Sequence, residues 1–370
     1  MSLDYVTIRG FKSIADLDRL QLRPLNVLIG PNGSGKSNFI GAFSFLHEVR
    51  AGRLQNYVRS AGGADALLHF GLKVTPEMSV AVSFLEEKNG YELVLRPSAD
   101  DSLFPARETT KFWDKEKGYP RPFDQDLLPV EGGREAGISA SNLTGIPLWV
   151  QRRFDQWRLY HLHDTSGTAP MRRTAQLNDN EFLRPDGGNL PAFLYLLRER
   201  HNASYEMIRR TISMMVPFFD DFDLKPERLN PDTIRLAWRH RDSPKYFSAA
   251  SLSDGSLRFM ALATLFLQPL ELRPSTILLD EPELGLHPYA IALLASLARQ
   301  AAAQTQVLIS TQSPLLLDHL EPVDVIVTER HEGASHFARL EPERLADWLK
   351  DYSLGQLWEM NELGARPSLG

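Results

Sequence analysis

The sequence predicts an α/β fold: a mostly parallel sheet with helices packed on it, an antiparallel β portion early in the chain, and a helical middle lobe. Three observations carry this. Near the start, the apolar run Leu25 to Ile29 leads into three glycines, Gly30, Gly33 and Gly35. Phe39, Ile40, Phe43, Leu46 and Val49 then recur at helical spacing, so the order is strand, glycine loop, helix. After Ile234, apolar runs near 234–238, 275–279, 306–310 and 323–328 alternate with helical stretches, the pattern of a largely parallel sheet. Between these regions, Met78 to Leu85 and Tyr91 to Leu95 alternate as strands around Glu86-Glu87-Lys88-Asn89-Gly90. They read as a hairpin turning at Asn89-Gly90, residues that tolerate positive φ.

The remaining elements follow in chain order. Tyr5 to Arg9 alternates in strand fashion. Residues 98–150 are rich in Pro, Gly and charge with little periodicity, so this stretch reads as irregular and mobile. Two helices follow, one marked by Leu190, Phe193, Leu194 and Leu197, the next by Tyr205, Ile208, Ile212, Met215 and Val216. These make the middle lobe. No internal repeat and no sustained heptad is present.

Composition narrows the class. The 370 residues are 43% hydrophobic and 24% charged, as in globular proteins with a sizeable core. No window reaches the roughly 18 apolar residues of a membrane span, and the start, Met-Ser-Leu-Asp-Tyr, lacks a signal-peptide pattern, so a cytoplasmic protein without a membrane partner is expected. The absence of cysteine excludes disulfides, thiolate metal sites and cysteine nucleophiles, leaving oxygen or histidine to hold any metal. A net charge of −6 argues against a chain that coats nucleic acid over its whole surface, though it leaves room for a local basic patch.

The glycine loop identifies the ligand. Gly30-Pro31-Asn32-Gly33-Ser34-Gly35-Lys36-Ser37 fits G-x-x-x-x-G-K-[ST] at every specified position. Main-chain N–H groups free of side chains would wrap the α- and β-phosphates of a nucleoside triphosphate. Lys36 would reach the β- and γ-phosphates, Ser37 would ligate Mg²⁺, and the site extends to Asn38 at the helix start. A glycine-rich turn with a surface lysine is the bland alternative, disfavoured by the placement between an apolar strand and an amphipathic helix. The ligands expected are therefore a nucleoside triphosphate and Mg²⁺.

A second element should supply the metal ligand and the water. The run Ser275 to Pro288, STILLDEPELGLHP, ends an apolar strand in Asp280-Glu281, at the carboxyl end where ligands of such sheets bind. Asp280 would hold Mg²⁺, and Glu281 would orient and deprotonate the attacking water. Two acids after a strand are more often a solvated helix start; beside the glycine loop the balance inverts.

The third element is Ser251 to Phe266, SLSDGSLRFMALATLF. Ser253 could simply cap a helix. Yet Leu252-Ser253-Asp254-Gly255-Ser256 resembles the signature of ABC-type ATPases, which include transporter nucleotide-binding domains, SMC proteins and RecF. The order of glycine loop, signature and Asp-Glu strand is the ABC-type arrangement. The opening IRGFKSI and the segment Glu283-Leu284-Gly285-Leu286-His287-Pro288 are similar to RecF- and SMC-like ATPases. With RLYHLHDTS, LRPDGGNLPAFLYLL, STQSPLLLD and SLGQLWEMNELGARP, nearly the whole chain resembles stand-alone bacterial ATPases of the RecF/SMC-like group, related to the ATPase part of OLD-family nucleases.

That resemblance implies an ABC-ATPase head of the P-loop NTPase class. Residues 1–97 and 232–345 would form a discontinuous nucleotide-binding core, 98–231 an irregular insert and middle lobe, and 346–370 a tail packed on the core. In the superfamily, the signature serine and neighbouring N–H groups touch the γ-phosphate held by the opposite subunit, which assigns that role here to Ser253, Asp254 and Gly255. It also implies that the catalytic set is Glu281, Lys36 and Gln312. Gln312, in Ile309-Ser310-Thr311-Gln312-Ser313-Pro314, stands where most ABC ATPases have a switch histidine. An amide can hydrogen-bond but cannot take up a proton, so slow basal turnover is expected. Asp254 is a further oddity, because a carboxylate beside phosphate is unfavourable unless it points away.

Other residues stay open. Gln55 and Gln151 are candidates for the Mg²⁺-sensing glutamine, with solvated surface as the alternative. Arg258 reads more readily as a surface ion pair than as a link to the middle lobe. His161, His163 and His287 show no metal-ligand spacing. Two chains would meet head-to-tail around two ATP molecules as a homodimer, hydrolysis releasing them. The cycle would couple to DNA or to a nuclease or effector acting on DNA, in repair or phage defence. The pairs Arg152-Arg153, Arg172-Arg173 and Arg209-Arg210 are the local basic features. The alternative is a regulatory switch that binds a protein effector without touching nucleic acid. A nuclease within these residues is not expected, since only about 40 follow Val327 and Glu329 reads as a surface acid.

Overall fold

A computed structural model describes residues 3–127 and 133–364. The chain forms two compact units, the first made of Met1–Trp157, Pro322–Tyr352 and Gln356–Gly370, the second of Arg158–Glu321 and Ser353–Gly355.

In the first unit, the strand Leu25–Ile29 is buried at all five positions and pairs in parallel with Val325–His331, with Val27 opposite Val325 and Ile29 opposite Val327. Burial on both faces explains its near-continuous apolar run, interrupted by the buried Asn26, which accepts from Arg23 N–H at 2.9 Å. Val325–His331 turns back as the antiparallel strand Ala334–Arg339. The helix Lys36–Arg50 buries Phe39, Ile40, Phe43, Leu46 and Val49, the residues that mark its period in the sequence. Its aromatic face is interlocked: the Phe39 ring lies 5.4 Å from Phe43 and 5.3 Å from Phe337, and Phe43 lies 5.5 Å from Trp157.

The antiparallel portion is a six-stranded sheet in the order Ile14–Gln21, Leu3–Phe11, Met78–Phe84, Asn89–Pro97, Leu103–Phe112, Phe123–Asp126. Two expectations are corrected here. The hairpin does not turn at Asn89-Gly90: Phe84 pairs with Asn89 and Ser83 with Gly90, and the chain reverses through Leu85, Glu86 and Glu87, all with positive φ. Such a run in non-glycine residues is strained. It is offset by Glu87, whose N–H donates to Asp4 at 2.9 Å and whose carboxylate pairs with Arg19 and with Lys115 at 2.6 Å.

Nor is 98–150 irregular throughout. It holds the ten-residue strand Leu103–Phe112 and the helix Gly145–Phe154. Pro105 conceals the strand from a sequence reading. It sits where the register slips, opposite Leu95 and next to the Val94–Arg107 pair, at a bulge that removes the need for its missing N–H. Residues 128–132 of that stretch, and 365–370 of the expected tail, lie outside the described residues.

In the second unit, Thr276–Asp280 and Gln306–Thr311 pair in parallel, from Thr276 opposite Gln306 to Asp280 opposite Ser310. The helix Pro288–Ala302 joins them. The helix Asp254–Leu267 is buried at every position from Ser256 on, as its apolar composition all round requires. The lobe helices form at Leu190–Arg200 and Asn202–Met215. The expected strand near 234–238 is instead two short antiparallel ones. Asn230–Ile234 pairs with Ala175–Gln176 and Pro226–Glu227, while Ala237–His240 pairs with Phe219–Phe222 and Tyr246–Ser248. Among the described residues, no helix is long and apolar enough to cross a membrane.

Candidate functional site

The glycine loop of the first unit leaves the parallel strand at Gly30 and enters the helix at Gly35. Gly35 has φ 111°, and a Cβ there would overlap the Ser335 side chain and lie 2.9 Å from Ser13 Oγ. Only glycine meets both constraints. These serines form a brace: Asn38 Nδ2 and Ser335 Oγ each donate to Ser13 Oγ at 2.7 Å, and Ser335 N–H donates to the Ser13 carbonyl at 2.7 Å. The sequence reading left Ser13 and Ser335 out, and Asn38 acts as a strut in this arrangement. Gly30 is confined by the Thr328 carbonyl.

Lys36 is 5% exposed, with Nζ donating to the carbonyls of Gly30 at 2.7 Å and Pro31 at 3.0 Å. The Ser34 hydroxyl is buried with no hydrogen-bond partner. A buried ammonium, an orphaned hydroxyl and the N-terminal end of a 15-residue helix together form an anion cradle. This fits a polyphosphate. Ser37 stands exposed in the helix's first turn, a hard oxygen donor of the kind Mg²⁺ takes.

In the second unit, the strand Thr276–Asp280 ends in a held pair of acids. Asp280 accepts from Ser310 Oγ on the adjacent strand. Glu281 has φ 43°, its N–H donates to the Ser310 carbonyl at 2.9 Å, and its carboxylate accepts from Gln312 Nε2. A positive φ at a non-glycine residue, fixed by main-chain and side-chain bonds, is the kind of strain concentrated at working sites. Asp280 also bears on His161, whose pKa burial lowers while the nearby carboxylate partly restores it. Among the described residues, no group of three or more His, Asp and Glu side chains could hold a metal ion.

Glu283, named in the sequence only as part of the segment after the acids, is given no role of its own there. It is 9% exposed; Oε1 accepts from Thr311 Oγ1 and from Gln312 N–H at 3.3 Å, and Oε2 is buried without a partner. Burial pushes its carboxyl up, against the pull of those hydrogen bonds.

The signature segment caps its helix. Ser253 is exposed, its Oγ accepting from Ser256 N–H at 3.2 Å and donating to Ser256 Oγ at 2.8 Å. Asp254 turns aside to Arg172 at 2.8 Å. Gly255 packs directly on the loop after the acids, for a Cβ there would come 2.5 Å from the Gly285 carbonyl. Arg258 is corrected from a surface ion pair to a buried clamp. It is 4% exposed, with Nε donating to the Leu162 carbonyl at 2.9 Å and Nη2 to the His163 carbonyl at 3.0 Å. Burial lowers its pKa. The segment His161–His163 is thereby tied to the signature helix.

The other candidates find structural partners. Gln55 and Gln151 are both buried, contrary to a solvated surface. Gln55 Nε2 donates to the Leu103 and Arg134 carbonyls at 2.7 and 2.6 Å, and Gln151 Nε2 to those of Ile138 and Ala140 at 2.7 and 2.9 Å. His287 caps the helix Pro288–Ala302 through Nδ1. Glu329 pairs with His331 at 2.5 Å. Of the basic pairs, Arg209 bonds Glu206 and the Asp220 carbonyl, and Arg153 lies 4.9 Å from the Trp149 ring. Arg173 donates to the Thr168 carbonyl at 2.8 Å.

The family model described as "AAA domain, putative AbiEii toxin, Type IV TA system" matches residues 25–318. The chain is 24% identical over 343 residues to an OLD nuclease of Thermus scotoductus (strain ATCC 700910 / SA-01), a match covering 85% of this chain and 60% of that protein. It is 51% identical over 45 residues to the chromosome partition protein Smc of Desulfitobacterium hafniense (strain Y51), covering 12% of this chain and 4% of that one. The chain thus spans less than two thirds of the curated relatives it matches. Among solved structures, an Smc head bound to the C-winged helix domain of ScpA superposes with TM-score 0.59 at 15% identity, covering 93% of this chain and 99% of that one. A Pyrococcus furiosus Smc head with an extended coiled coil, bound to the C-terminal domain of ScpA, gives 0.57 at 14%, covering 94% and 98%. The fold is that of an SMC-like head.

Proposed function

This chain belongs to the AAA-domain family described as putative AbiEii toxin, Type IV TA system, and from that premise we propose that it binds and hydrolyses ATP as an SMC/OLD-type ATPase. The observation that carries the reading is the anion cradle: Lys36 buried on the loop carbonyls, Ser34 orphaned, and Gly35 braced by Ser13 and Ser335. Main-chain N–H groups from Gly33 to Ser37 and the Lys36 ammonium bind the phosphates. Ser37 and Asp280 would hold Mg²⁺, which would supply neutralising charge at the phosphates. Glu281, kept in place by Gln312, accepts the proton of the attacking water as its oxygen bonds to the γ-phosphorus and the bond to ADP breaks. Gln312 orients without accepting a proton, so basal turnover is slow.

Ser253 stands exposed at the N-terminus of the buried signature helix, which suits contact with the γ-phosphate held by a second copy. Two copies then close around two ATP molecules in an isologous dimer, and hydrolysis reopens them. The cycle works on DNA or on a partner that acts on DNA, a reading supported by the OLD nuclease and Smc relatives. One observation favours the second reading, a switch acting on a protein effector. Arg172 and Arg209, from the basic pairs that suggested a DNA surface, are engaged within their own unit.

The experiment is Glu281→Gln with saturating ATP and Mg²⁺, followed by sedimentation with and without DNA over a range of salt. A nucleotide-dependent dimer is expected. A variant that binds ATP and stays monomeric removes the dimer cycle, and a wild-type chain that does not bind ATP removes the whole proposal. DNA retention that weakens with salt selects the first partner, and its absence at low salt selects the second.

A further inference from the structure

The loop that follows Glu281 is gripped from two sides within the second unit. On one side, Gly255 of the signature helix rests against the Gly285 carbonyl, and Arg258 reaches the same glycine. On the other, Glu283 accepts from the Thr311 hydroxyl and from the main-chain N–H of Gln312, whose side-chain amide in turn holds Glu281. Glu283 therefore fixes the backbone of the residue that fixes the base.

We propose that Glu283 is a positioning residue for hydrolysis, setting Gln312 at the angle from which its amide holds the Glu281 carboxylate. The proposal rests on the ATPase reading above. Two bonds to adjacent residues, one to a side chain and one to the main chain, define a direction as well as a distance for the backbone that carries the Gln312 amide. The same carboxylate also feels the charge of Glu281, so the glutamine variant is what separates the acceptor from the charge. Oε1 makes both bonds, while Oε2 makes none. A glutamine at 283 keeps an acceptor where Oε1 stands and replaces only the unpartnered atom. The acceptor is what matters for positioning, not the charge.

The test compares Glu283→Gln and Glu283→Ala with wild type in the full chain, using ATP turnover, ATP binding by calorimetry and thermal melting. Alanine should lower kcat by about tenfold with KM for ATP within about twofold, the pattern of an interaction needed only at the transition state. Glutamine should restore kcat to within about threefold of wild type, about 0.65 kcal/mol on the barrier scale. Combining Glu283→Ala with Gln312→Ala should cost little more than Gln312→Ala alone, because both act on one element. Should the alanine variant fail to fold, the glutamine variant decides alone. A glutamine variant that binds ATP and melts like wild type yet loses tenfold or more in kcat shows that charge at 283 is required, which overturns the proposal. An alanine variant with wild-type kcat does the same. Wild-type protein that binds no ATP in the same calorimetry defeats the ATPase reading instead, so the two failures are told apart.

Discussion

Arg172 Nη2 lies 2.8 Å from the carboxylate of Asp254, and the same guanidinium bonds the carbonyls of Ala249 and Leu252. The signature turn is thereby held from below by one side chain that is only 8% exposed. This accounts for an acid next to a serine expected to meet phosphate: Asp254 is directed at a cation of its own unit. Replacing Arg172 by Ala should destabilise the fold by about 1–3 kcal/mol, because it strips partners from main-chain carbonyls. Asp254→Asn should cost under about 1 kcal/mol, since that carboxylate is 66% exposed and its ion pair is screened. Urea titration of the two variants checks the order.

The phosphate loop couples stability to binding. Gly35→Ala meets a φ of 111° and the Ser335 side chain, and should lower the melting temperature as well as abolish nucleotide binding. Lys36→Ala takes the donor away from the Gly30 and Pro31 carbonyls and should cost about 1–3 kcal/mol of stability as well as weaken ATP binding by about tenfold or more. Thermal melting with and without ATP and Mg²⁺ reads both effects.

Contact between the signature helix and the loop after the acids is a backbone contact. Gly255→Ala would press a methyl group into the Gly285 carbonyl, 2.5 Å away, and the loop must shift. A loss of about 1–3 kcal/mol is expected, together with slower ATP turnover through displaced Glu283. A variant as stable and as active as wild type would show that the loop yields freely.

A buried carboxyl in the first unit gives the fold a pH dependence. Glu108 is 4% exposed and accepts from Gly137 N–H at 2.6 Å, Ile138 N–H at 2.9 Å and Tyr91 OH at 2.8 Å. Burial raises its pKa above the ordinary 4.5, outweighing those donors. The folded state therefore binds this proton more tightly than the unfolded chain. Its contribution is fully present below 4.5 and is lost as pH rises through the raised value. Urea midpoints measured upward from pH 4.5 should show this decline in wild type. In Glu108→Gln that component of the slope should vanish, whatever the variant's absolute stability.

The bond from Gln312 to Glu281 gives the last expectation. Gln312→Ala removes the donor and should lower kcat by about tenfold or more, with ATP binding unchanged. Steady-state phosphate release beside calorimetric binding measures it, and fast basal turnover by the wild type would contradict the slow cycle assigned to an amide.

Much of the frame was legible because its signals are local. Leu25–Ile29, the helix from Lys36 and the pair Thr276–Asp280 with Gln306–Thr311 are marked by runs and periods that any neighbouring residues reveal. Pro105 hid a strand because its fitness depends on a bulge set by the opposing strand. The hairpin was misplaced because strand register, rather than turn propensity, put Asn89-Gly90 inside the ladder. Arg258 and Arg172 look like surface charge in sequence, and nothing local tells that main-chain carbonyls wait for them.

By itself, then, the sequence determined the α/β class, the glycine loop with Lys36, the acids Asp280 and Glu281, and the capped helix at Ser253. In each case the chemistry resides in residues adjacent along the chain. Only the tertiary structure decided that Ser13 and Ser335 brace Gly35, that Arg172 takes up Asp254, and that Glu283 holds Gln312 against Glu281. The hydrogen bonds behind those relationships join residues from 25 to more than 300 positions apart, and bonds with such separations form only once the strands and helices between them have packed.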